Sequence, residues 1–361
     1  NQKILIGSGI PRDWENDVYE FYDFLFSGYG RFDNHLHLIF DSKSTNTAKN
    51  DKIVRFLDKK LDFFVDATNG QRVERDISFV SKFSTGCNSG FAEGGNHNRW
   101  ENRWTSCIQD ISNRHRKETN LYSTPQQRYE NLLGFAHEYH HVYQGSKRYG
   151  IETDQWYMRE GRNHPEDPLD QYAWWAEGTA DIAAHWIMKD VFNTLSISKR
   201  NGFNYKDIVT GLESGDLDSS WNWSIYSGSG SLEKQYSLAK YALQGIKSPF
   251  HESFNCNSID RSIEGRVSSG GGVNECFDLN NVMAAYLMWI TTPQVAMVEI
   301  AKDMYELGFA NSFVKHVGMT PDQFYDDFNK FMRSGNPLER PPENFFSGPE
   351  NFFDVVDFGF I

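Results

Sequence analysis

The chain has 361 residues, with 36 basic and 49 acidic side chains and a formal charge of −13. That length supports one large two-lobed domain or two ordinary ones, and the acidic balance, with no dense Lys/Arg run, disfavours nucleic acid and anionic membrane surfaces as partners. Its 28 Phe, 17 Tyr and 10 Trp put much of the burial on large flat side chains, and the composition excludes collagen, coiled-coil, low-complexity and globally disordered classes.

In chain order, Leu36 to Phe40 reads as a short strand, and Asp51 to Ala67 as an amphipathic helix with Ile53, Phe56, Leu57, Leu61, Phe64 and Val65 at helical spacing. Ile77 to Phe83 is a second strand. Beyond residue 124 the periodicity is helical almost throughout. The pattern predicts an α+β protein: an N-terminal mixed sheet with helices over 1–123, a mainly helical subdomain over 124–335, and a cleft between them. A Pro/Phe-rich tail over 336–361 repeats Glu-Asn-Phe-Phe at 343–346 and 350–353, and four phenylalanines predict packing on the body. The longest apolar stretch, Val282 to Ile290, is nine residues, about half of the ~20 that cross a bilayer, so no membrane span is expected.

Cys87, Cys107, Cys256 and Cys276 fall into two pairs, each twenty apart. Local pairing is the expected reading. Each loop closure would stabilise the fold by about 3 kcal/mol and would place the protein in a secreted or extracytoplasmic, oxidising setting. The alternative is four reduced thiols, and three pairings are formally open.

Thr124 as N-cap, Pro125 at the first helical position and Gln127 form a capping pattern for a helix running to about Gln144. Inside it stands His137-Glu138-Tyr139-His140-His141, an H-E-x-x-H pattern. Histidines four apart on a helix face one way and can reach one cation, while Glu138 projects beside the open side as a general base. The bland alternative is a solvated polar helix face.

A second helix is expected from near Asp170, apolar on nearly all sides and therefore buried. Within it lies Trp174-Trp175-Ala176-Glu177-Gly178-Thr179-Ala180-Asp181. A buried carboxylate needs a cation or a hydrogen-bond partner, and Glu177 is expected to be the third metal ligand. Asp181, one turn on, is placed to accept the second N–H of a ligating histidine. Gly178 is poor helix material unless two helices approach closely there.

These two clusters resemble the gluzincin metallopeptidases, and more narrowly the peptidase-MA-like group with a W-x-x-E-G-x-A element. The resemblance rests on His137, Glu138, His141, Trp174, Glu177, Gly178, Ala180 and Asp181, and softly on helices after Phe277. It implies a zincin-like fold and a zinc-dependent metallopeptidase acting on a peptide or protein substrate. It also implies Phe91, Ala92 and Glu93 as part of a substrate-binding edge strand. The family's oxyanion-binding Tyr has Phe277 at the position that corresponds, so Tyr236 and Tyr241 are the catalytic candidates for that role, by their separation from Glu177.

The expected mechanism has His137, His141 and Glu177 holding zinc, Glu138 taking a proton from an activated water, and the same carboxyl returning it to the leaving amine. Rivals are a catalytically silent zincin-fold protein recognising carbohydrate or protein, and a zinc hydrolase of another amide or an ester. The remaining signals are weaker: His35 and His37 on one strand face, His140 as a packing residue, and Asp216, Asp218 and Ser220 as an incomplete calcium loop.

Overall fold

A computed structural model describes residues 3–6, 11–30, 35–41, 102–108, 125–148, 173–202, 204–208, 232–246, 259, 279–346 and 348–359. Asp51 to Ala67, Ile77 to Phe83, Phe91 to Glu93, Asp216 to Ser220, Phe277 and Cys87, Cys256 and Cys276 lie outside the described residues, as does the side chain of Cys107.

The expected α+β architecture with an N-terminal mixed sheet is overturned: helices make up most of the described chain and nearly all of its core. The strands β1 (Lys3–Ile6), β2 (His35–Asp41) and β3 (Asn102–Ile108) run in one direction only, in the order β1-β2-β3. Of β1, Ile6 is buried in the described core and Ile4 packs against it. Strand-like patterning near the N-terminus identifies local extended chain; the body is organised by helix packing instead.

Helix α1 (Arg12–Tyr29) is absent from the sequence reading, although Trp14, Val18, Phe21, Tyr22, Leu25 and Tyr29 recur at helical spacing and are all buried. It packs on α2 (Pro125–Arg148), with Tyr22 against Phe135 and Tyr139, and the Tyr139 hydroxyl donating to Gly30 O at 2.9 Å. Helix α2 begins at the expected Pro125 and continues past the expected end near Gln144 to Arg148.

Helix α3 (Ala173–Val191) is the centre of the body, held between α2 and α6 (Asn280–Ile290). Ile182, Ala183, Ala184, Trp186, Ile187 and Met188 are all buried, as an all-round apolar helix requires. After α4 (Ser196–Asn201) and α5 (Leu232–Leu243), α6 leads through a wide π turn at Val295–Glu299 into α7 (Ile300–Val317). Gly308 breaks α7 with φ 72° and ψ 163°, a conformation open to residues without Cβ. Helix α8 (Pro321–Arg333) carries a capping box: Thr320 accepts from Gln323 N–H and the Gln323 side chain accepts from Thr320 N–H.

The tail lies on this body. Phe345 is buried beside Phe331 and Tyr236, while Phe352, Val356 and Phe358 are buried further on, around the four-residue α9 (Phe352–Val355). Phe358 packs against Tyr29 and Tyr143, so the tail closes over the junction of α1 and α2. No described helix is long and apolar enough to cross a membrane.

Asp17 joins three helices. Arg200 of α4 donates to both its oxygens at 2.7 Å, and Arg128 of α2 donates to Oδ2 at 3.0 Å. Removing one partner of a buried ion pair typically costs about 3–5 kcal/mol. Arg128 keeps Asp13 and Arg200 is 40% exposed, so Asp17→Ala is expected at the low end, about 3 kcal/mol. Denaturant unfolding checks this, and an unchanged midpoint would show that the three helices do not depend on the bridge.

Candidate metal centre

His137 and His141 stand one turn apart on α2, so their rings share a face. The Nε2 atoms are 3.0 Å apart. Helix α3 brings Glu177 onto the same point: its Oε2 is 3.3 Å from His137 Nε2 and 3.5 Å from His141 Nε2. Asp181, one turn further along α3, accepts from His137 Nδ1–H at 2.5 Å. His137, Glu138 and His141 form a group able to hold a metal ion, with one ligand atom from each within 4.8 Å of the others.

The Trp-Trp pair explains how α3 is registered. Trp174 Nε1–H donates to the Tyr325 hydroxyl at 2.9 Å and its ring stacks on Phe324, fixing α3 to α8. Trp175 Nε1–H donates at 2.8 Å to Ala296 O in the π turn. Gly178 meets α6 directly: a Cβ there would lie 2.3 Å from Asn280 O and 2.8 Å from Ala284 Cβ. The close helix approach expected from the sequence is therefore present, with its glycine beside Glu177.

The electrostatics follow from crowding ionisable groups in a half-buried cluster. Burial opposes charge on His137, yet Asp181 and Glu177 outweigh it and hold its pKa well above the ordinary histidine range. His141 is also raised, burial being outweighed chiefly by Glu177. Burial works against the Glu177 carboxylate too, but the two imidazoles win and hold its pKa below the usual range. Glu138 moves the other way: burial pushes it up to about 7, against the pull of His137 and His141.

A metal ion must displace the protons that this arrangement favours on the imidazoles. Its apparent affinity is therefore expected to rise with pH through the raised histidine pKa values and to fall on acidification; zinc titrations at pH 6 and pH 8 check this. Folding of the metal-free protein has the opposite sign. A histidine raised above its unfolded value of about 6.5 contributes stability that is present below that pH and is lost as pH rises through the folded value.

His140 and Tyr236 have packing partners of their own. His140 is a packing residue: its Nδ1 lies 2.9 Å from the Tyr29 hydroxyl, and burial holds its pKa well below the ordinary value. Tyr236 is buried under the tail, packed against Phe331, Phe345 and Phe346 with Lys240 over its ring, and its neighbours come from α5, α8 and the tail. Tyr241 is buried on the same helix. His35 and His37 lie in β2, paired in register with Asn102 and Trp104.

Two residues at the centre escaped the sequence reading. Gln144 Oε1 lies 2.7 Å from His141 Nδ1, and its Nε2 reaches Thr179 and Ala176 on α3. Its spacing, three residues after His141, was the available signal. His185, one turn beyond Asp181, is buried, and that burial lowers its pKa to about 4 with Asp181 opposing.

Comparison with protein families, with curated proteins and with solved structures yields no match for this chain.

Proposed function

We propose that the protein is a zinc-dependent metallopeptidase of gluzincin type, with His137, His141 and Glu177 as ligands and Glu138 as general base. The observation that carries this reading is the triangle formed by the two Nε2 atoms and Glu177 Oε2, with edges of 3.0, 3.3 and 3.5 Å. Tetrahedral ligands about 2.0–2.1 Å from zinc lie about 3.4 Å apart, so the triangle has the size of one face of a zinc tetrahedron. Three protein ligands would leave one position of the ion open to a reactant.

The donor set supports zinc, for which two imidazoles and a carboxylate are a catalytic rather than a closed structural combination. The bound ion would supply Lewis-acid polarisation and a coordinated water acidic enough to react near neutral pH. The chain's own groups do the rest. Asp181 holds His137 with Nδ1 as donor, leaving Nε2 as the ligating atom. Glu138, on the helix turn of both histidines and with a metal-free pKa of about 7, takes the proton from water and gives it to the leaving amine.

Peptide as the substrate comes from the family resemblance; another amide or an ester would use the same groups. Purified full-length protein is expected to cleave members of an unbiased peptide library, to stop on chelation, and to resume on adding zinc. Zinc uptake without cleavage of any peptide would favour the silent binding protein. Among the tryptophans whose burial is described, Trp14, Trp174, Trp175 and Trp186 are buried and Trp289 is exposed.

A further inference from the structure

We infer that Gln144 is a positioning residue of the metal centre: it fixes the tautomer of His141 and ties the two-histidine helix to the helix that carries Glu177. The inference rests on the metal reading above and adds a residue to it.

The hydrogen-bond chain determines its own direction. Ala176 O is a backbone carbonyl and can only accept, so the Gln144 atom 3.1 Å from it must be the amide nitrogen. The same nitrogen lies 2.8 Å from Thr179 Oγ1, whose own proton goes to Trp175 O at 2.7 Å. Thr179 therefore accepts from Gln144. With the amide nitrogen committed to α3, the oxygen faces His141 Nδ1 at 2.7 Å. An amide oxygen cannot donate, so Nδ1 must carry a proton, which leaves Nε2, facing His137 and Glu177, as the nitrogen that a metal ion could take.

The two ligating histidines thus have different supports. His137 is held by a charged acceptor from α3, Asp181, and His141 by a neutral acceptor from its own helix. Gln144 also does what Asp181 cannot: its donors grip the backbone at Ala176, the residue before Glu177, and the hydroxyl of Thr179, two residues after it. Gln144 is 5% exposed and Thr179 is fully buried, so water does not readily replace these bonds. An unpaired Nδ1–H would free the ring to rotate or change tautomer, and the three ligand atoms would lose their common focus.

The test is zinc affinity of the full chain by competition with a chromophoric chelator. Gln144→Met keeps length and volume but removes the acceptor and both donors, and is expected to weaken zinc binding about 10–100-fold. Thr179→Val is expected to weaken it in the same direction, and Thr179→Ser, which keeps the hydroxyl, to restore it. Long-range proton–nitrogen NMR of the zinc-loaded native protein should show His141 protonated at Nδ1, a readout that needs no variant to fold.

Native affinity in Gln144→Met, or an Nε2–H at His141, overturns the inference alone when native protein binds zinc and His141→Ala does not. Failure of the native protein to take up zinc overturns the metal reading and this inference with it.

Discussion

Glu138→Gln is expected to lower peptide cleavage by about 10²–10⁴-fold, the usual worth of a general acid–base group, while zinc content stays that of the native protein. Gln has the size and shape of Glu and can keep a hydrogen bond, but it cannot accept a proton in this pH range. The native carboxyl is suited to the task because burial raises it to about 7 despite the attraction of His137 and His141. A nearby cation favours the carboxylate, so the metal-loaded value is expected to lie below that figure and the base form to dominate at neutral pH. Steady-state cleavage measured alongside metal analysis decides the matter. A variant with native turnover would place the base elsewhere, and one that loses zinc would make Glu138 part of the ligand set.

Gly178→Ala is the second large effect, and two terms oppose each other. Alanine favours a helix interior over glycine by about 1 kcal/mol. Against that, the new Cβ would stand 2.3 Å from Asn280 O, where an ordinary carbon–oxygen contact is about 3.3 Å. The obstacle is backbone of α6, which cannot swing aside as a side chain would, so α3 and α6 must separate by about 1 Å. Overpacking of this kind costs about 1–3 kcal/mol, and the net result is expected to be destabilising.

Glu177 is the adjacent residue, so the same shift moves a ligand atom; a misplacement of about 1 Å can cost about 10²-fold in activity. Thermal unfolding and zinc affinity should fall together. A variant more stable than the native protein would mean that helix propensity wins and that the two helices have room between them.

The centre was largely legible because its key relations are local. The four-position interval from His137 to His141 places both rings on one side of any α-helix, and Asp181 follows Glu177 by the same interval. Glu177 inside an apolar helix declared its need for partners by composition alone. Gly178 announced a close approach without saying to what; α6, and Asn280 in particular, came from the packing.

Other residues were beyond reach for the converse reason. Tyr236 was chosen by chain separation, but its surroundings are set by a tail about a hundred residues later, which buries it with Phe345 and Phe346. Gln144 bonds across two helices, and no periodicity encodes a hydrogen bond between elements thirty-two and thirty-five residues apart. The α+β architecture was overcalled because strand-like segments report extended chain, whereas the architecture depends on what that chain packs against. From the sequence alone came the helical spacing that brings two imidazoles together and the buried carboxylate that seeks a charge. Only the tertiary structure decided that α3, wedged between α2 and α6 and pinned by Trp174 and Trp175, brings Glu177 to them, because convergence of separate helices depends on contacts that local chain geometry does not specify.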